Sequence, residues 1–137
     1  MTDVKANGGT LLRARPLSPH LSVYRWTLTM AMSIAHRLTG AALYAGTLLL
    51  VWWLVALATD AGAYESFARF IGSIPGRIVL FGFTWALFHH MFGGIRHFVW
   101  DVGRGLDHPA RERITALSLV AGLALTLLVW IIAFLVR

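Results

Sequence analysis

An all-α membrane protein with three transmembrane helices is the fold class this sequence predicts, and three observations carry it. Of 137 residues, 58% are hydrophobic and 13% charged, about half the roughly 25% charged content of an ordinary soluble domain. Three stretches nearly free of charge are each long enough to cross a bilayer. The 12 basic residues, against six acidic ones, sit beside those stretches. Mean hydropathy is +0.69, which excludes a soluble enzyme, a disordered tail and a fibrous repeat. A pI near 11.1 then reflects cations flanking membrane spans and implies a lipid bilayer as partner, with no nucleic acid.

Residues 1–14 form a polar, Gly-rich arm, read as flexible, and they lack the pattern of a cleaved signal. In 15–30, Pro16 and Pro19 interrupt helix while Leu21, Val23, Tyr24 and Trp26 suit the headgroup layer, so this segment is read as interfacial. The first transmembrane helix is placed at 31–58. Its uncharged portion, Leu38 to Ala58, has 21 residues, which at about 1.5 Å each cover roughly 30 Å of hydrocarbon.

An outer loop is expected at 59–77, where Asp60, Glu65 and Arg69 mix with Gly62, Gly72, Pro75 and Gly76. The second transmembrane helix, 78–103, carries His89 and His90 at membrane depth. A cytoplasmic loop follows at 104–113 with Arg104, Arg111, Arg113 and Pro109. The third helix, 114–136, has 23 residues without an ionisable group. Nine basic residues (Lys5, Arg13, Arg15, Arg25, Arg37, Arg96, Arg104, Arg111, Arg113) fall at one end and three (Arg69, Arg77, Arg137) at the other. The excess predicts a cytoplasmic N-terminus and an outer C-terminus.

No cysteine is present, so this chain supplies no thiolate for zinc, an iron–sulfur cluster or nucleophilic chemistry. Polar groups inside the spans are costly and need a partner, a ligand or a wet cavity. Ser33, His36 and Arg37, at i, i+3 and i+4, share one helix face near the basic end. A hydroxyl, an imidazole and a guanidinium there suit a carboxylate, a carbonyl or a phosphate; snorkelling of His36 and Arg37 to lipid headgroups is the competing reading.

On the second helix His90, Gly93, Gly94 and His97 also share a face. The two glycines clear a strip against which a planar macrocycle fits, with His90 as a neutral imidazole ligand to its iron and His97 near its carboxylates. Close helix packing at the glycines is the alternative. His89 points about 100° from His90, the angle per residue of a helix with 3.6 residues per turn. Asp101, four residues beyond His97, is placed to orient that ring. No third or fourth zinc ligand, catalytic triad, phosphate loop or paired-carboxylate site is evident, so chemistry by this chain alone is not expected.

Three motifs in order carry a resemblance: Arg15-Pro16-Leu17-Ser18-Pro19-His20-Leu21-Ser22-Val23-Tyr24, then Ser33-Ile34-Ala35-His36-Arg37 with Thr39-Gly40, then His90 with Gly93-Gly94-Ile95-Arg96-His97 and Asp101. The chain resembles the cytochrome b membrane-anchor subunit of succinate dehydrogenase, the larger anchor of respiratory complex II, in its mitochondrial and alphaproteobacterial branch. The resemblance implies a helix bundle built with a second anchor subunit around shared haem b. It implies His90 as the axial iron ligand, His36 and His97 beside the haem propionates with Arg37 close by, and Ser33 and Arg37 at a ubiquinone-reduction site. A flavoprotein subunit, an iron–sulfur subunit and a small membrane-anchor subunit are the implied partners, with succinate oxidation on another subunit. A multi-pass protein of the bacterial inner membrane, in electron transport and the tricarboxylic acid cycle, is the implied setting. The competing functions are a haem-free structural anchor and the anchor of a quinol:fumarate reductase.

Overall fold

The computed structural model describes residues 24–136 in full and, before them, the backbone of two dipeptides. Val4–Lys5 (β1) pairs antiparallel with Leu11–Leu12 (β2), Val4 opposite Leu12 and Lys5 opposite Leu11. Four helices follow: α1 (Leu28–Thr59), α2 (Ala61–Gly72), α3 (Ile74–Asp101) and α4 (His108–Leu135). Three of them, α1, α3 and α4, have the length and apolar character to cross a membrane.

Side-chain caps set the helix ends. Thr27 accepts from the Met30 amide at 3.3 Å to start α1, and Asp60 accepts from Ala63 at 2.8 Å to start α2. Ser73 ends α2 and starts α3, accepting from the Gly76 amide at 3.2 Å. Asp107 accepts from Ala110 at 3.3 Å, with Pro109 in the first turn of α4, where its missing N–H costs nothing. Gly103 and Gly105, at φ 75° and 67°, take the left-handed turn between α3 and α4.

These caps explain two differences from the hydropathy reading. The segment 59–77 contains a 12-residue helix where a turn region is expected, because Asp60 caps it and Gly62 is tolerated inside it. The third span begins helically at His108 rather than 114, because hydropathy marks the depth of immersion while a cap marks the end of the hydrogen-bond ladder.

The bundle is apolar outside and small or polar inside. Among the described residues only Ala56 and Ala86 are buried hydrophobics, whereas Leu48, Leu54, Leu117, Ile131 and many like them are exposed. With lipid around the helices, apolar burial drives little association, so close backbone approach decides the packing. Gly46 receives the Phe83 ring, and Gly122 lies where a Cβ would come 3.2 Å from the His89 Cα. The buried Thr115 and Thr126 hydroxyls donate to carbonyls of their own helix, Arg111 and Gly122, at 2.8 and 2.7 Å. The central helix is α3, with α1 on one side and α4 on the other.

Candidate functional site

The two adjacent histidines of α3 face different neighbours. His90 turns to α1: its ring stacks on His36 with centroids 3.9 Å apart and planes 6° apart, and its Nδ1 lies 3.1 Å from the His36 carbonyl oxygen. A carbonyl only accepts, so His90 Nδ1 carries the proton. In the neutral ring Nε2 then keeps the lone pair that a metal needs. Thr39, 3% exposed, donates to the Ala35 and His36 carbonyls at 2.9 and 3.0 Å and lies 3.4 Å from the same Nδ1. His89 instead turns to α4 and packs beside Trp85, at 5.3 Å between ring centroids. It is 3% exposed, and both its nitrogens lack a protein partner among the described residues.

Glycines make this arrangement possible. A Cβ on Gly40 would come 3.0 Å from the His90 ring, and one on Gly93 would collide with the His36 imidazole. Gly94 has nothing within 4 Å of its missing Cβ. The side-chain-free strip expected across Gly93 and Gly94 is therefore filled at Gly93 by His36 and open at Gly94.

His97 completes a cluster of three imidazoles, its centroid 5.4 Å from that of His36. Its other neighbour is Trp100, edge-on at 5.3 Å. Asp101, expected to orient the His97 ring, makes no ion pair with it; among the described residues the single ion pair is Arg69 with Glu65. On α1, Ser33 is half-buried and Arg37 exposed. Among the described residues the Ser33 hydroxyl makes no hydrogen bond, unlike the threonines back-bonded within α1, and Arg37 has no carboxylate partner. Thr29 donates to Glu112 Oε1 at 2.7 Å, tying the first turn of α1 to the second turn of α4 at the same end of the bundle.

Arg96 differs from its expected place among the flanking cations. It is 3% exposed between α3 and α4, its guanidinium 5.1 Å from the Trp100 ring centroid and 3.4 Å from Ser118 Oγ. Sequence reasoning passed over Thr39 as a site residue, although its i+3 spacing from His36 puts it on the same face. His20 and the rest of the first motif up to Val23 lie outside the described residues; of that motif only Tyr24 is described, and it is exposed.

The donor set fits a haem b. One imidazole is held through Nδ1 with Nε2 left as ligand, two further imidazoles stand within the cluster, the buried His36 Nδ1 lacks a partner, and Gly94 is clear. Among the described residues no group of three His, Cys, Asp or Glu is arranged to hold a bare metal ion.

Known proteins match this chain over most of its length. The family model described as succinate dehydrogenase/fumarate reductase transmembrane subunit matches residues 12–134. A succinate dehydrogenase cytochrome b556 subunit of Paracoccus denitrificans is 43% identical over 122 residues, 86% of this chain and 93% of the relative. One from Rickettsia felis is 35% identical over 117 residues, 85% and 91% of the two chains. The mitochondrial cytochrome b560 subunit of Bos taurus is 41% identical over 120 residues, covering 81% and 69%.

Proposed function

The chain belongs to the family of succinate dehydrogenase/fumarate reductase transmembrane subunits, and on that premise we propose that it is the haem b anchor of a succinate:ubiquinone oxidoreductase and forms part of the quinone-reduction site. It is a multi-pass protein of the bacterial inner membrane and a partner of the other subunits of that complex. Succinate oxidation belongs to another subunit in this reading, with a flavoprotein, an iron–sulfur subunit and a small anchor as the specific partners.

One observation supports the haem assignment above the rest: the bond from His90 Nδ1 to the His36 carbonyl. It selects the tautomer and the ring orientation before any ligand arrives, the usual office of such a bond at a metal-binding histidine. In this reading His90 would hold the haem iron through Nε2, while His36, His97 and Arg37 would offer imidazole N–H and guanidinium donors to the propionate carboxylates. When bound, haem b would supply a one-electron store, with any further ligand to its iron coming from outside this chain.

At the neighbouring mouth Ser33 and Arg37 hold and polarise ubiquinone. The serine hydroxyl donates to a quinone carbonyl oxygen, and the guanidinium places fixed positive charge where negative charge grows as electrons arrive. Among the described residues neither group is committed to another partner, so both are available there without breaking an existing bond.

The test separates two activities of one assembled complex. Ser33→Ala and Arg37→Ala should spare succinate oxidation by an artificial dye and lower electron transfer to ubiquinone by about 10²-fold or more. Arg37→Lys should rescue only in part, since lysine keeps the charge and loses the planar fork. Ubiquinone reduction near the wild-type rate in both alanine variants would overturn the quinone reading. Assays run in both directions distinguish succinate oxidation from fumarate reduction as the favoured reaction.

A further inference from the structure

At the end of the bundle opposite the histidine cluster, two clefts converge on Arg77, Trp130 and Phe134. One, about 490 Å³, lies between α2 and the α3–α4 pair, with Phe67, Leu80 and Thr84 among its walls. The other, about 460 Å³, follows the α3–α4 seam past Ile78, Phe81 and Leu127. Each runs seven residues along α3 or α4 away from the shared end, Arg77 to Thr84 in the first and Phe134 to Leu127 in the second; at 1.5 Å per residue that is about 10 Å of depth. Trp130 divides them, its ring edge-on to Phe81 at 5.3 Å and tilted to Phe134 at 5.9 Å.

Arg77 stands at the start of α3, the membrane-interface end of a span, and it is exposed. No carboxylate of the described residues pairs with it, and Glu65, the acid of the adjoining α2, is taken by Arg69. One cation with no carboxylate partner among the described residues thus heads two apolar clefts that both run along membrane-spanning helices. We infer that this is a binding site for one anionic two-chain phospholipid of the leaflet at the α2 end, its phosphate on the Arg77 guanidinium and its two acyl chains in the two clefts. A quinone, with one isoprenoid tail and no charge, would use one cleft and leave the cation idle. The inference is independent of the haem and quinone readings.

The test uses the assembled complex purified in mild detergent, with bound phospholipid measured by native mass spectrometry before and after delipidation, and phosphatidylglycerol as the rebinding probe. Wild-type complex should keep one anionic phospholipid through mild washing and rebind phosphatidylglycerol at least tenfold more tightly than phosphatidylcholine. Arg77→Gln should weaken that binding about tenfold, the worth of one charge-assisted contact, and Arg77→Lys should retain most of it. Ala133→Trp, which fills the first cleft and leaves Arg77 in place, should also expel the lipid. Dye-linked succinate oxidation and subunit ratios, unchanged in all variants, show that assembly is intact. Equal lipid content in Arg77→Gln overturns the proposal, as it would if a partner subunit filled the clefts. Equal binding of phosphatidylcholine, or stoichiometric displacement of phosphatidylglycerol by ubiquinone, overturns it too.

Discussion

His36 and His90 lie 54 residues apart in sequence and stack in parallel at 3.9 Å, the one on α1 and the other on α3. The contact exists because Gly93 and Gly40 remove the side chains that would hold the helices apart. It also sets His90 apart from its neighbour in sequence: the carbonyl of His36 accepts a hydrogen bond from His90 Nδ1–H, while His89 faces α4. Haem absorbance should follow that division. His90→Ala should abolish or strongly perturb the b-type spectrum of the purified complex, and His89→Ala should leave it largely intact. Loss of haem in His89→Ala alone, with subunits present in normal ratio, would show that the α4-facing ring is the ligand.

The two glycines before His97 should respond differently to a single methyl group. Gly93→Ala forces the His36 ring out of its recess, and overpacking of this kind costs about 1–3 kcal/mol. Gly94→Ala meets no atom of this chain. Thermal unfolding of the assembled complex should therefore begin at a lower temperature in Gly93→Ala than in Gly94→Ala. The reverse order would mean that Gly94 is the tighter contact once the other subunits are in place.

Asp107 caps α4, which starts at His108, six residues before the apolar stretch begins. Asp107→Ala removes its bond to the Ala110 amide, a loss worth about 1 kcal/mol. Hydrogen exchange at the first-turn amides of α4 should accelerate about fivefold, since 1.4 kcal/mol is a factor of ten, with the middle of α4 unchanged. An unchanged rate at Ala110 would show that the loop is held by other means.

Orientation follows from the charge asymmetry of nine basic residues to three. A C-terminal alkaline phosphatase fusion should be active, and a cytoplasmic reporter at the same point silent. Arg96 contributes little to that asymmetry, because it is buried between helices. Arg96→Gln should leave the reporter pattern as it is, whereas removing Arg104, Arg111 and Arg113 together should weaken it.

Three spans, their order and the grouping of Ser33, His36 and Arg37 on one face and of His90, Gly93, Gly94 and His97 on another were determined by the sequence alone. Hydropathy and the 3.6-residue period are local properties, and lipid as solvent leaves helix as the one open-chain way to satisfy the backbone. Tertiary structure decided what those faces meet. Which ring fills which glycine recess, that Arg96 turns inward to Trp100 and Ser118, that Asp101 leaves His97 to Trp100, and that Thr39 reaches His90 all depend on how far apart two helices sit and how they are rotated. Those quantities come from close contacts between residues distant in the chain, and no pattern within one helix encodes them. The helix in 59–77 and the early start of α4 lay between these extremes: Asp60 and Asp107 are readable as caps, but apolar length dominates a hydropathy reading and hides where the hydrogen-bond ladder begins.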